Sequence, residues 1–209
     1  MPKSEWALLA LHYQNEVLHA RGAIRVGVSE AGPDRTAIMD CAGELLAVAR
    51  AAAIPVISVR IAFRSDHADV IANCKIFRDV VALGAMVEGS WGAEFVERLG
   101  PAPGEFVVKH TRTNAFFGSP LEEILRTLEA RRLIVAGVST NSVVEATVRH
   151  ASDAGYEVIV VSDACSAGVA KLHFASLRNM AYVAEVDTLD ALKQRIRRLR
   201  EPEISPTLR

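Results

Sequence analysis

The chain is expected to fold as a three-layer α/β/α domain around a mostly parallel, doubly wound six-stranded sheet. Two observations predict it. Six apolar runs are short and continuous rather than alternating, as strands covered on both faces require. Helical patterns separate these runs, and strict strand–helix alternation implies right-handed crossovers within one sheet. At 209 residues without internal repeats or a low-complexity linker, residues 1–209 are read as one domain, with a short C-terminal tail over 197–209.

The first strand is placed at Trp6 to Leu11. Pro33 then marks the start of a helix over Asp34 to Ala53, carrying Ile38, Leu45, Leu46 and Val48 on one side. Pro55 to Arg60 is the second strand. A long connection, Ile61 to Gly104, follows with a short helix expected at Asp69 to Leu83; connections of this length inside a compact domain usually serve as lids or binding loops. Phe106 to Lys109 is the third strand. Ser119-Pro120-Leu121-Glu122 has the form of a capping box with proline in the first turn, opening a helix to Ala130. Leu133 to Ala136 is the fourth strand, and a helix over Asn141 to Ala154 stops at Gly155. Glu157 to Val161, a helix over Val169 to Tyr182, Val183 to Val186 and a last helix over Thr188 to Leu199 complete the alternation.

Composition removes several function classes. The formal net charge is −1, so no nucleic-acid partner is expected; the basic run Arg195 to Arg200 reads as a solvated helix face. No apolar stretch is long enough to span a membrane, and no signal-peptide layout is present. Three cysteines, Cys41, Cys74 and Cys165, lack paired spacing and fit free thiols in a reducing cytoplasm. There is no G-x-G-x-x-G or P-loop pattern, so no nucleotide cofactor is expected. His12, Glu16 and His19, or Asp66 and His67, have ligand-type side chains without a fixed geometry, and no metal is expected either.

In a doubly wound sheet the ligand sits beyond the carboxyl ends of the strands, which directs attention to His12 to Glu16, Ile61 to His67, Lys109 to Phe117 and Ser139 to Val144. Together these segments resemble the isochorismatase-like hydrolases, also called cysteine hydrolases. Ala7 to Glu16 is similar to that family's opening strand and "DxQN" turn. Val87-Glu88-Gly89-Ser90-Trp91-Gly92 is similar to its glycine-tryptophan segment. Val107-Val108-Lys109 with Asn114 to Leu121 is similar to its "K…saF.gT.L" stretch, and Ala136 to Asn141, Val144 to Thr147 and Ser162-Asp163-Ala164 follow in the family's order. The similarity spans Trp6 to Leu192.

The resemblance implies a triad: an aspartate after the first strand, a lysine after the third, and a cysteine nucleophile at the start of the helix after the fourth. Here His12 stands in the aspartate's place, Val143 in the cysteine's, and Lys109 is read as the lysine. A non-proline cis peptide at Val138–Ser139 is also implied. A cysteine mechanism is therefore not expected, and Ser142, which adjoins the position, would point about 100° around the helix from it.

The leading reading is a hydrolase of a C–N or vinyl-ether bond without a cysteine nucleophile. His12 is its general acid/base and Lys109 its anion-binding or proton-handling residue, so the substrate is a small, carboxylate-bearing molecule. Glu16 is the candidate counter-ion for Lys109. Gln14, Trp91, Phe116, Phe117, Ser139, Asn141 and Ser142 are the candidate substrate-binding residues. The alternative is a catalytically inactive ligand-binding or scaffolding protein on the same fold. The resemblance also implies a homo-oligomer, dimer or tetramer.

Overall fold

The computed structural model describes residues 3–27 and 35–200, leaving the side chains of residues 199 and 200 undescribed. Its centre is a six-stranded sheet in the order β3-β2-β1-β4-β5-β6, and every neighbouring pair is parallel. The strands are β1 (Trp6–Leu11), β2 (Val56–Ile61), β3 (Phe106–His110), β4 (Arg132–Gly137), β5 (Glu157–Val161) and β6 (Glu185–Asp187). The inner strands are buried almost end to end, which explains why they read as unbroken apolar runs.

A short helix α1 (Asn15–Leu18) follows β1, and α2 (Arg35–Ala51) leads into β2. The expected helix start at Pro33 and Asp34 lies outside the described residues. Helix α3 (Lys75–Ala82) sits in the long β2–β3 connection, and α4 (Leu121–Leu128) joins β3 to β4. A π-helical turn, Thr140–Val144, runs into α5 (Glu145–Asp153); α6 (Ala170–Met180) and α7 (Leu189–Arg200) follow β5 and β6. Because the chain winds from β1 toward β3 and then from β4 toward β6, right-handed crossovers put α2 on one face and α4, α5 and α6 on the other. Helix α7 returns to pack on α2. It reaches Arg200, so residues 197–200 belong to this helix and not to a separate tail. Its Arg195 pairs with Glu185 and Asp187.

Departures from the sequence-based boundaries have local causes. Helix α3 starts at Lys75 and not at Asp69, because the Asp69 carboxylate accepts the Arg64 amide and His67 holds a left-handed φ of 51°. The expected capping box at Ser119 does not form. Ser119 Oγ accepts the Leu121 amide at 3.2 Å and donates to the Ala115 carbonyl at 2.6 Å, while Glu122 pairs with Arg126 within α4. Strand β6 begins two residues late because the Val183 and Ala184 amides still bond the Met180 carbonyl at the end of α6.

The winding reverses between β1 and β4, which opens the crevice where such sheets bind ligands. These two strands pair from Trp6↔Arg132 to Leu11↔Gly137. The approach at the last pair leaves no room for a side chain: a Cβ on Gly137 would lie 2.2 Å from the Leu11 carbonyl oxygen. Gly137→Ala is thus expected to cost about 3 kcal/mol or more, since backbone cannot yield as a side chain can. Urea unfolding of the variant beside the unmodified protein measures the loss.

Candidate active site

Four strand ends meet the crevice, and His12 leaves the first. It holds a left-handed φ of 54°, a conformation in which histidine and aspartate are both over-represented among non-glycine residues. Its amide donates to the Val59 carbonyl at 2.9 Å, which fixes the turn to β2. The next residues anchor the site without lining it. Gln14 is fully buried; its Oε1 accepts the Ile61 amide at 3.0 Å, and its Nε2 donates to the Ile61 carbonyl at 2.9 Å and the Ala93 carbonyl at 2.7 Å. Every donor and acceptor of that amide group is engaged in joining the β1 turn to β2 and to the long connection.

Strand β3 decides the second functional residue. Val107 and Lys109 are exposed while Val108 and His110 are buried, the period-two alternation of a strand with one covered face. Lys109 therefore points away from the crevice, where it donates to Glu88 at 2.7 Å. Lys109 is corrected on this point: its neighbour His110 is the residue that reaches the site. Nor is Glu16 the counter-ion of Lys109, because its Oε1 accepts the Ala23 amide at 2.5 Å.

The His12 and His110 Nε2 atoms lie 2.5 Å apart, with both rings buried. Elementary hydrogen-bond bookkeeping orders the protons. A carbonyl oxygen only accepts, so His110 Nδ1, 3.1 Å from the Asn114 carbonyl, carries a proton. In neutral His110 the Nε2 atom is then an acceptor, and His12 Nε2 must donate to it. His12 consequently keeps its lone pair on Nδ1. Burial holds the His12 imidazole well below its ordinary value, with the His110 charge adding to the effect. Burial likewise lowers His110 to about 4, opposed by the Asn114 carbonyl. Two imidazoles in contact can share one proton but not hold two.

Asn114 makes this arrangement from three of its own atoms. Its carbonyl orients His110, its Oδ1 accepts the Phe116 amide at 2.9 Å, and its Nδ2 donates to His150 Nδ1 at 3.0 Å. His150 in turn stacks on Phe116, with ring centroids 4.5 Å apart. His110 and Asn114 lie in the Lys109 to Phe117 segment but were not among the candidate site residues expected from sequence, although the burial alternation of a one-sided strand could have pointed to His110.

A cavity of about 50 Å³ adjoins the pair. His12, Ser139, Ser142 and Val143 line it together with Arg112 and Thr113, and Ile61, Ile76, Phe77, Val80, Met86 and Val138 supply apolar walls. Val143 is buried at the wall, in the π-helical turn. The Val138–Ser139 peptide is cis. Four of the residues expected to bind substrate lie elsewhere. Trp91 is a surface ring, edge-on to His19 with Arg21 above it. Phe116 is buried against His150 and Tyr156, Phe117 is 62% exposed, and Asn141 faces solvent. With Gln14 they fall away because they serve packing, anchoring or surface. Asp66 pairs with Arg64 and His67 bonds the Ala85 carbonyl. Among the described residues no three His, Cys, Asp or Glu side chains gather as a metal site, and no helix is long and apolar enough to cross a membrane.

The family profile described as "Isochorismatase domain" matches residues 6–191. The chain belongs to the isochorismatase family. Among curated proteins it is similar to the uncharacterized isochorismatase family protein YecD of Escherichia coli O157:H7. The two are 30% identical over 152 residues, covering 72% of this chain and 79% of that protein. Among solved structures it resembles an isochorismatase family protein from Desulfovibrio vulgaris, with a TM-score of 0.82 and 29% identity over 92% of this chain and 98% of that one. A cysteine hydrolase from Pseudomonas syringae pv. phaseolicola superposes with a TM-score of 0.83 at 25% identity, covering 95% and 96% of the two chains. Within this isochorismatase-family member His12 lines the crevice with His110 in contact beside it, and no cysteine is among the described lining residues. Cys165 is buried, with its thiol pushed up to about 12 by burial, and Cys41 lies on α2, its thiol also raised to about 12, by burial first and Asp163 second.

Proposed function

We propose that this chain is an isochorismatase-family hydrolase that opens a C–N or vinyl-ether bond of a small molecule without a covalent enzyme intermediate. His12 is its general acid/base. The observation that carries this reading is the buried His12–His110 contact, whose proton order leaves the His12 Nδ1 lone pair unspent. At a C–N bond that atom takes a proton from water as the oxygen attacks the substrate carbon. The imidazolium so formed donates through Nε2 to His110, a neutral acceptor that Asn114 holds in the right tautomer, much as a carboxylate steadies a catalytic histidine elsewhere. The proton then passes to the leaving group. Amide groups in the segment from Ser139 to Val143, where the π-helical turn begins, supply donors for the developing negative charge. Val143 stands where the resemblance places the nucleophile, so water takes that part.

Turnover of small amides, ureas and vinyl ethers, each with and without a carboxylate, tests the proposal. His12→Ala is expected to lower kcat by about 10²–10⁴-fold, the usual contribution of a positioned acid/base group. Absence of turnover by the unmodified protein, with small molecules still raising its Tm, would overturn the catalytic reading in favour of a binding protein.

A further inference from the structure

We infer that Arg112 determines the substrate class of this pocket, and that the class is a small aliphatic monocarboxylate. The inference rests on the pocket being the catalytic site and adds what enters it.

Among the described residues lining the cavity, Arg112 is the one with a permanent charge. The histidines beside it are held neutral by burial. Elsewhere in this region cations have carboxylate partners: Lys109 and Arg60 pair with Glu88, Arg60 also with Glu94, and Arg64 with Asp66. Arg112 has none among the described residues. One terminal nitrogen donates to the Ile71 carbonyl and the other to Asn73 Oδ1, each at 2.9 Å, and the guanidinium lies 4.1 Å above the Phe77 ring. These contacts are neutral. They fix the direction of the planar group and leave its charge uncompensated beside an apolar cavity.

A cation in that setting gains most from an anion with matching geometry, and a carboxylate accepts two parallel N–H bonds from a guanidinium. Of the five N–H groups, two are engaged by Ile71 and Asn73, so donors remain for such a pair. The rest of the ligand meets Ile61, Ile76, Val80 and Val138, which suit a hydrocarbon body. Lys109 was the residue expected from sequence to hold the anion; on the opposite face of β3 and paired with Glu88, it does not reach the cavity. Arg112, three residues further on, takes the role.

The test compares propanoate and butanoate with propanamide and butanamide as ligands of the full chain, by Tm shift and by calorimetric titration at pH 7. The unmodified protein is expected to bind the acids at least about tenfold more tightly than the amides, the scale of a charge-assisted hydrogen bond. Arg112→Gln is expected to abolish that preference. Arg112→Lys keeps the charge but not the fork or the stacking, and should retain only part of it. If Arg112→Gln fails to fold, the acid–amide comparison on the unmodified protein and on Arg112→Lys decides alone. Equal binding of acids and amides, or an acid preference that survives in Arg112→Gln, overturns the inference. Turnover separates the two readings: acid binding by an unmodified protein that turns over no substrate leaves this inference of ligand class standing and removes the catalytic one. Turnover of neutral substrates in preference to acids does the reverse.

Discussion

His110→Lys alone is expected to destabilise the protein by about 3 kcal/mol, and adding His12→Asp to the same chain should recover most of that loss. A lysine at position 110 brings an ammonium into a buried site whose neighbour, His12, is a neutral imidazole. An uncompensated buried charge costs about 3–5 kcal/mol, reduced here to the extent that the lysine sheds its proton. An aspartate at position 12 supplies the missing anion, and it suits the left-handed backbone there, φ 54°, as readily as histidine does. The two side chains are in contact at 2.5 Å, so their substitutions cannot be additive. A double-mutant cycle by urea unfolding at pH 7 measures the coupling. Strict additivity would show that the two positions do not share one electrostatic site. The resemblance implies an aspartate after the first strand and a lysine after the third. The inward-facing residues at those strand ends are His12 and His110, a buried pair in contact in which neither residue can change alone without cost.

Acidification is expected to weaken the fold from about pH 6.5 downward, before most carboxylates titrate. Burial lowers the folded-state value of His110 to about 4, against an ordinary 6.5. Between these values the unfolded chain binds a proton that the folded chain refuses. Stability therefore rises with pH across the window, is fully present above about pH 6.5, and is lost as pH falls toward 4. His110 by itself contributes about 3 kcal/mol to that loss, at 1.36 kcal/mol for each pH unit of the gap. His12 is shifted in the same direction and steepens the slope. Urea unfolding at half-unit steps from pH 4 to 7.5 reads the curve. His110→Gln should flatten it by about one proton's worth of slope; an unchanged slope would mean that His110 is protonated in the folded protein at neutral pH.

The sheet was legible because burial on both faces leaves a plain trace. Trp6–Leu11 and Glu157–Val161 have the bounds expected from their apolar runs, and the other four strands are displaced by one or two residues at an end. His12 was legible too, since a residue that ends a central strand at the reversal of winding can scarcely avoid the crevice. Helix ends were less so. The capping box at Ser119 looks complete in sequence, yet the Ser119 hydroxyl finds the Ala115 carbonyl, a partner that only the folded loop brings near.

The rest of the site depended on tertiary structure. Trp91, Phe116 and Gln14 have side chains suited to ligands, but whether such a group meets a ligand, a neighbouring ring or a backbone amide is settled by what packs beside it. The sharpest case is β3. Lys109 and His110 are adjacent, both polar and both at the strand's carboxyl end, so the amino-acid sequence alone determined that one of them would approach the crevice. Successive side chains of a strand leave on opposite faces, and a displacement of one residue in register exchanges their places. Pairing of Ile61 with His110 and Arg60 with Lys109 sent the imidazole inward to His12 and the ammonium outward to Glu88.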